Sequence, residues 1–350
     1  MQNFTILGQR SLHKHLNKNK NQKFMKYTTL GLTGIKVSKI CFGTMSFGNT
    51  RAWNIEIDQA KPIVKKALDL GINFFDTANV YANGRSEEII GELLKEVRDE
   101  IIIATKVRFS TGDKPNDEGL NRNHIRREVK KSLHRLQTDN IDLYQIHRLD
   151  YTVSMDQLMR SLNHLIDEGL VNHIGASSMY TWELAKANYL AEKLSLEKFT
   201  SMQNHYNAIY REEEREMIPY CIDEGMAVIP WSPLARGFLS GAIKQKEKTI
   251  RNETDAFLSW YDNPNNYEVL DVIENCATEN DLSVSQMALA WVLHQKGITS
   301  PILGVTKLSH LEEAVTVVDA TIDQDYFKRI SEAYTVRPIL GHSYNNPLGR

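Results

Sequence analysis

The hydrophobic positions of the chain fall into short apolar runs that alternate with amphipathic stretches. Near the start, two β-like runs flank the tripeptide Leu32-Thr33-Gly34, a pattern typical of a hairpin. Residues 58–70 then carry apolar side chains on one helical face, Gly71 ends that pattern, and residues 72–75 have the composition of a strand. The change from a helical to a strand pattern recurs along the chain and predicts an α/β protein.

The pattern predicts eight strands of one sheet. The apolar runs "EIIIATK" and "IDLYQIH" are typical of parallel strands that are buried on both faces. Further strands are predicted at "VNHIGASS" and near 200–203, 226–231 and 298–304. One of the helices between the strands is predicted to be capped by Ser86, and another is predicted to begin at Ser309. Eight β/α units predict a (β/α)8 TIM barrel with an N-terminal β-hairpin and extra loops at its C-terminal face. A doubly wound sheet is the rival, but the sequence lacks the G-x-G-x-x-G that it requires after the first strand.

Composition adds few constraints. The 350 residues are 41% hydrophobic and 25% charged, which suits one large barrel with its own core. A net charge of −2 gives no reason to expect nucleic acid or an anionic membrane as a partner. Cys41, Cys221 and Cys276 have no C-x-x-C spacing, so we expect reduced cysteines in a soluble cytoplasmic protein, without a disulfide framework or a metal site.

The ends of the chain differ from the barrel pattern. Residues 1–25 contain several basic residues and no acidic one, which predicts a disordered tail; a targeting peptide is the alternative. The barrel is predicted over 26–340, followed by a short tail at 341–350. Residues 236–267 form a long polar segment after the seventh strand, and loops of that length are usually functional or disordered.

Ionisable residues follow three consecutive predicted strands. Asp76 ends the second strand, Tyr81 lies five residues later, Lys106 ends the third strand, and His147 ends the fourth. Each alone has an ordinary structural role, as a cap, a packed aromatic or a barrel-rim residue. Because a barrel gathers its strand ends at one mouth, the four together predict an active site.

This set of side chains suits proton transfer to a carbonyl oxygen. A tyrosine with a pKa near 10 is a poor acid or base at neutral pH, and a neighbouring lysine lowers that pKa. A carboxylate holds the lysine, and a histidine N–H orients the substrate oxygen. No strong nucleophile or metal spacing accompanies these residues, so a hydride would have to come from a cofactor.

Several segments resemble successive signatures of the aldo-keto reductase superfamily: "GINFFDTANVYANGRSEEIIGELL", "ATKV", "IDLYQIHRLD", "VNHIGASSMY", "SMQNHYN" and "IPWSPLARGFLSG". They span about residues 26–340 in family order and are most similar to aryl-alcohol dehydrogenase-like and pyridoxal reductase-like members. The resemblance implies that Tyr81 is the general acid, that Lys106 and Asp76 tune it, and that His147 orients the carbonyl.

The resemblance also implies a nicotinamide cofactor, with NADPH preferred over NADH. The implied contacts are Gly43, Thr44 and Met45 near the ribose; Ser177, Ser178 and Gln203 at the carboxamide; Trp231 stacked on the nicotinamide; Ser232, Leu234, Arg236 and Gly237 at the pyrophosphate; and Gly304, Thr306, Lys307, His310 and Glu313 around the 2′-phosphate and adenine. Three positions depart from the common pattern, since Ser178 and Ala314 stand where asparagine is frequent and His310 where arginine or glutamine is frequent. A lysine is still a reasonable phosphate ligand as a point charge.

The implied function is reversible, NADPH-dependent reduction of aldehydes, aromatic or pyridoxal-like, with a small carbonyl compound as the partner. Trp53, Phe109 and Trp182 are expected to line the substrate pocket. One alternative is a nucleotide-binding interaction subunit, as in the potassium-channel β-subunits, which have asparagine in place of His147. Another is a lyase in which Lys106 forms a Schiff base. The sequence leaves the oligomeric state open.

Overall fold

The computed structural model describes residues 25–241 and 256–336. Almost all of the predicted N-terminal tail, and all of the predicted C-terminal tail, lie outside the described residues. Within them, no helix is both long and apolar enough to cross a bilayer.

Eight parallel strands form the sheet, in chain order around its circumference. They are β3 Cys41–Gly43, β4 Phe74–Asp76, β5 Ile102–Val107, β6 Ile141–Ile146, β7 Val171–Ser177, β8 Ser201–Gln203, β9 Ala227–Val228 and β10 Ile302–Gly304. The last strand pairs with the first, Ile302 opposite Cys41. On its other side the amide of Ile302 donates to the carbonyl of Pro230 at 2.8 Å, which closes the ring. The predicted (β/α)8 barrel is confirmed.

Helices cover the outside of the barrel between these strands. In the described residues they are α1 Ile57–Asp69, α2 Arg85–Leu94, α3 Arg122–Leu136, α4 Met155–Asp167, α5 Thr181–Lys193, α6 Met217–Asp223, α7 Pro264–Glu279, α8 Val284–His294, α9 Leu308–Thr316 and α10 Gln324–Ala333. The apolar stripe of α3 is buried as its spacing predicts, with Ile125 and Val129 in the core.

One helix start was predicted wrongly. Helix α2 begins at Arg85, and its N-cap is Gly84 in the left-handed region at φ 95°, a conformation that glycine adopts easily. Ser86 lies inside the helix, where its hydroxyl donates to the carbonyl of Thr44 at 2.8 Å and bonds the Thr77 hydroxyl at 3.0 Å. The hydroxyl therefore ties α2 to the barrel instead of capping it.

The predicted hairpin is confirmed and closes the N-terminal end of the barrel. It consists of β1 Tyr27–Thr29 and β2 Lys36–Ser38, which pair antiparallel. Leu30 and Val37 are fully buried and pack in one cluster with apolar residues that line the barrel interior, among them Phe74 and Leu143. Because the hairpin covers this end, ligands have access to the strand ends only from the opposite mouth.

The long segment after β9 contains more regular structure than its polar sequence suggests. Residues 235–240 and 256–261 form short 3-10 turns, and α7 begins at Pro264. Residues 242–255 lie outside the described part. Cys41, Cys221 and Cys276 are all buried and form no disulfide.

Candidate active site

The four residues predicted to carry the chemistry lie together at the C-terminal mouth of the barrel. Asp76 is the last residue of β4, Lys106 lies in β5, His147 directly follows β6, and Tyr81 begins a short turn after β4. Strands β4, β5 and β6 are hydrogen-bonded neighbours. Their shared edge brings these side chains into contact, as expected for parallel strands.

Lys106 is the centre of the hydrogen-bond network. Its side chain is fully buried, and the ammonium donates to Asp76 Oδ2 at 2.6 Å, to the carbonyl of Thr77 at 2.7 Å and to Tyr81 Oη at 3.2 Å. An ammonium has three N–H donors, so each of them has an acceptor. The bond to Tyr81 holds the phenol oxygen at a fixed place in the mouth.

The charge state of Lys106 follows from its neighbours. Burial acts to lower its pKa, but the carboxylate of Asp76 and the Tyr81 oxygen outweigh burial, and the pKa of Lys106 is raised. A lysine that forms a Schiff base must lose its proton near neutral pH. The geometry therefore argues against the lyase alternative.

The pKa of Tyr81 is set by opposing effects. Burial raises this pKa and Asp76 adds to the effect, whereas Lys106 acts to lower it, as expected from the sequence, but does not overcome burial. The pKa is therefore raised, because the phenol is buried, a property that could not be read from the chain. The phenol consequently holds its proton at neutral pH, as a proton donor must.

His147 is a neutral imidazole beside Tyr81. Burial lowers its pKa well below the usual value, and the charges of Lys106, Arg148 and Arg108 act in the same direction. Its ring lies edge-on to Tyr81, with centroids 5.8 Å apart, and 4.8 Å from the ring of Phe109. A neutral imidazole has one N–H that can donate to a carbonyl oxygen.

Two glutamines complete the surroundings of Asp76. Gln145 Nε2 donates to Asp76 Oδ1 at 3.1 Å, and Gln203 Nε2 donates to the same oxygen at 2.8 Å. Gln145 was missed in the sequence, although it lies two residues before His147 and so faces the same side of β6. Gln203, implied as a cofactor contact, here fixes the carboxylate.

Trp231 belongs to a stack of three rings. His205 lies between Tyr210 and Trp231, with ring centroids 4.1 and 4.2 Å away and nearly parallel planes. The indole N–H of Trp231 donates to Ser178 Oγ at 3.0 Å, and His205 Nε2 is 2.6 Å from the hydroxyl of Tyr261. His205 covers one face of the indole, and the Arg148 guanidinium lies 5.9 Å from the indole centroid. A flat ligand would stack on the face away from His205.

The remaining implied cofactor positions fall into two groups. Thr44 and Ser177 are buried and already hydrogen-bonded, Thr44 to the carbonyl of Asp76 and Ser177 to Arg148. The others lie at the mouth: Gly43 at the end of β3 and Met45 just after it, the loop at Ser232, Leu234, Arg236 and Gly237, and the exposed positions Gly304, Thr306, Lys307, His310 and Glu313 around the start of α9. Of the expected pocket residues, Phe109 contacts His147, whereas Trp182 is 61% exposed at the start of α5.

A closed (β/α)8 barrel with a tyrosine, a charged lysine that is hydrogen-bonded to it and a neutral histidine at its mouth is typical of an oxidoreductase that acts on carbonyl groups. The sequence profile described as the Aldo/keto reductase family matches residues 39–335. This chain belongs to the aldo/keto reductase family.

Individual relatives agree with this assignment. The chain is 39% identical to an aldo-keto reductase of Fusarium vanettenii, over 91% of this chain and 93% of that protein. It is 39% identical to a protein of Schizosaccharomyces pombe described as an aryl-alcohol dehydrogenase, over 90% and 97%. It is 36% identical to versiconal hemiacetal acetate reductase of Aspergillus parasiticus, over 90% and 98%. The protein is thus an enzyme of carbonyl reduction.

Proposed function

We propose that the enzyme reduces aldehydes to alcohols with NADPH and that Tyr81 donates the proton to the carbonyl oxygen. The observation that carries this proposal is the 3.2 Å hydrogen bond from the Lys106 ammonium to the Tyr81 hydroxyl, in a network that Asp76 completes. As the carbonyl gains electron density its oxygen becomes basic, and a positioned phenol can protonate it. The adjacent ammonium stabilises the phenolate that remains.

The proposed role of His147 is to orient the substrate. Its neutral ring lies next to Tyr81 and can donate one hydrogen bond to the carbonyl oxygen. The nearby Phe109 ring gives a flat apolar wall, which favours aromatic or pyridoxal-like aldehydes. Relatives described as aryl-alcohol dehydrogenases support the same substrate class.

The residues at the mouth fit a dinucleotide. The face of Trp231 that points away from His205 suits a nicotinamide ring, which would supply the hydride. The loop at 232–237 carries Arg236, whose positive charge suits the pyrophosphate. The start of α9, with Lys307 just before it, suits the 2′-phosphate that distinguishes NADPH.

The decisive experiment is Tyr81→Phe. Since Tyr81 acts only as the proton moves, we expect kcat for aldehyde reduction to fall at least about a hundredfold while the Kd for NADPH changes little. Stopped-flow oxidation of NADPH and a fluorescence titration of NADPH measure the two quantities. Tyr27→Phe, which removes a hydroxyl in the hairpin far from the mouth, is the matched control. Near-normal turnover in Tyr81→Phe would refute the assignment.

A further inference from the structure

Two arginines of the mouth have no role in the proposed proton transfer. Arg108 follows β5 and Arg148 follows His147 at the end of β6. Arg148 Nη1 donates to the carbonyl of His147 at 2.5 Å and to Ser177 Oγ at 3.2 Å. The Arg108 guanidinium lies 5.2 Å from the centroid of Phe109, the ring that contacts His147. Both cations therefore flank the histidine that orients the substrate.

Neither guanidinium forms an ion pair with a carboxylate among the residues at 25–241 and 256–336. Two carboxylates of this end of the barrel bind other groups. Asp76 binds the Lys106 ammonium at 2.6 Å. Asp150 interacts electrostatically with Arg108, but its oxygens accept from the amide of Leu120 at 2.7 Å and from the amide and hydroxyl of Thr152. Within the same described ranges, Arg108 Nε is buried without a hydrogen-bond partner.

Positive charge held at a half-buried site without a counterion is costly, because water no longer solvates it fully. Such a site is complementary to an anionic ligand. The guanidinium is planar and presents paired N–H groups, a geometry that matches the two oxygens of a carboxylate.

The position of the two arginines separates them from the proposed phosphate contacts. Those contacts lie after β9 and around β10, whereas Arg108 and Arg148 follow β5 and β6. Strands β5 and β6 are the ones that deliver Lys106 and His147 to the carbonyl. Arg148 also borders the implied nicotinamide position, since it donates to Ser177 Oγ and its guanidinium lies 5.9 Å from the centroid of the Trp231 ring. A nicotinamide ring and its carboxamide carry no negative charge, so an anion bound here would belong to the carbonyl compound.

We propose that Arg148, together with Arg108, binds a carboxylate group of the substrate, so that the enzyme prefers aldehydes that carry a carboxylate. This inference rests on the proposed aldehyde reduction and names its substrate class. The carbonyl oxygen lies between Tyr81 and His147, and the carboxylate lies beyond the imidazole toward the two guanidinium groups. A neutral aldehyde would still reach Tyr81 but would leave these charges without a partner.

The test compares 3-formylbenzoate with methyl 3-formylbenzoate, which has the same ring and aldehyde but no charge. We expect kcat/KM of the wild-type enzyme to be at least about tenfold higher for the carboxylate. In Arg148→Met, and separately in Arg108→Met, kcat/KM for the carboxylate should fall about tenfold or more, and much less for the ester. Arg148→Lys should recover part of the loss, since it keeps the charge without the planar fork.

Arg160→Met is the matched control, because it removes one positive charge from the exposed outer face of α4. It should leave both kcat/KM values unchanged. Equal kcat/KM values of the wild-type enzyme for the ester and the carboxylate would overturn the inference. So would equal losses for both substrates in Arg148→Met together with weaker NADPH binding, since that result assigns Arg148 to the cofactor. If the enzyme reduces neither of these two compounds nor benzaldehyde, that result would instead refute the proposed aldehyde reduction.

Discussion

The Lys106 ammonium, held by its bonds to Asp76 and Thr77, has two separate effects on Tyr81. The ammonium fixes the position of the phenol oxygen, and its charge opposes the burial that raises the pKa of Tyr81. Lys106 is therefore a positioning residue as well as an electrostatic one.

Removing the lysine charge should shift the pH dependence in a defined direction. Lys106→Met removes the ammonium that acts to lower the pKa of Tyr81, while the burial that raises this pKa remains. The pKa of Tyr81 should therefore rise. Reduction needs the protonated phenol and is lost as pH increases through that pKa; the alkaline decline should therefore move to higher pH, with kcat about a hundredfold lower. Alcohol oxidation, which needs the phenolate, should begin to rise only at higher pH.

The measurement is kcat/KM in both directions between about pH 6 and pH 11, a range that brackets the ordinary tyrosine pKa of about 10. Circular dichroism and an NADPH titration check that the variant is folded, since Asp76 loses its ion pair. An alkaline decline that moves to lower pH would contradict this role of Lys106.

At the residue scale, the sequence was sufficient to predict the ionisable side chains at the strand ends, but not the side chains that form hydrogen bonds with them. Asp76, Lys106 and His147 were found because a barrel collects strand ends. Gln145 and Arg148 were missed because their importance depends on which side chains face them across β5, β6 and β7. The direction of the Tyr81 pKa depends on burial, which is a property of the assembled mouth.

Among the elements, helix α9 is the one to which we assign the proposed preference for NADPH over NADH. Its first turn exposes backbone N–H groups without intrahelical partners, and Lys307 stands at the N-cap position without a side-chain capping bond. A phosphate at this end would interact with both the amides and the lysine.

Lys307→Ala should therefore weaken NADPH binding by roughly tenfold to a hundredfold, the loss expected for one charge-assisted contact. NADH lacks the 2′-phosphate, so its Kd should change little. Fluorescence titration with each cofactor gives both values, and Lys328→Ala on exposed α10 is the charge control. Equal weakening of NADPH and NADH would mean that Lys307 does not contact this phosphate.

The elements also mark where sequence patterns failed. Ser86 has the right residue type for a cap, but its hydroxyl is used by Thr44 and Thr77 after the barrel has formed. The predicted strand at 226–231 is shorter, Ala227–Val228, because Pro230 has no N–H to donate to a neighbouring strand. The period of the hydrophobic pattern identified these elements, whereas hydrogen bonds that form in the folded structure determine where they begin and end.

Across the whole molecule, a buried ion pair joins the C-terminal helix to the barrel. Arg211 and Glu214 are only 1% and 5% exposed, and their side chains are 3.0 Å apart. Arg211 also donates to the carbonyl of Ser331 in α10 at 2.9 Å and lies against the rings of Trp291 and Tyr334.

Arg211→Met should lower the free energy of unfolding by about 3–5 kcal/mol, because it leaves the carboxylate of Glu214 buried without its cation. The adjacent, less buried pair offers a control: Arg215→Met breaks a 2.7 Å bond to Glu212, whose side chain is 44% exposed, and should cost at most about 1 kcal/mol. Urea unfolding measures both. Equal costs for the two variants would show that burial of the first pair does not matter.

The hairpin that covers the bottom of the barrel has a consequence for the order in which the chain can fold. A side chain at Gly31 would meet backbone atoms of Thr200, Gly225 and Ala227, and the hydroxyl of Ser300 donates to the carbonyl of Ser38, 262 residues away. During synthesis, Leu30 and Val37 emerge long before the strands that bury them. Such high contact order makes folding slow, and we expect the hairpin to dock only after β9 and the approach to β10 have left the ribosome. Until then the apolar side chains of Leu30 and Val37, which are fully buried in the folded protein, remain exposed to solvent.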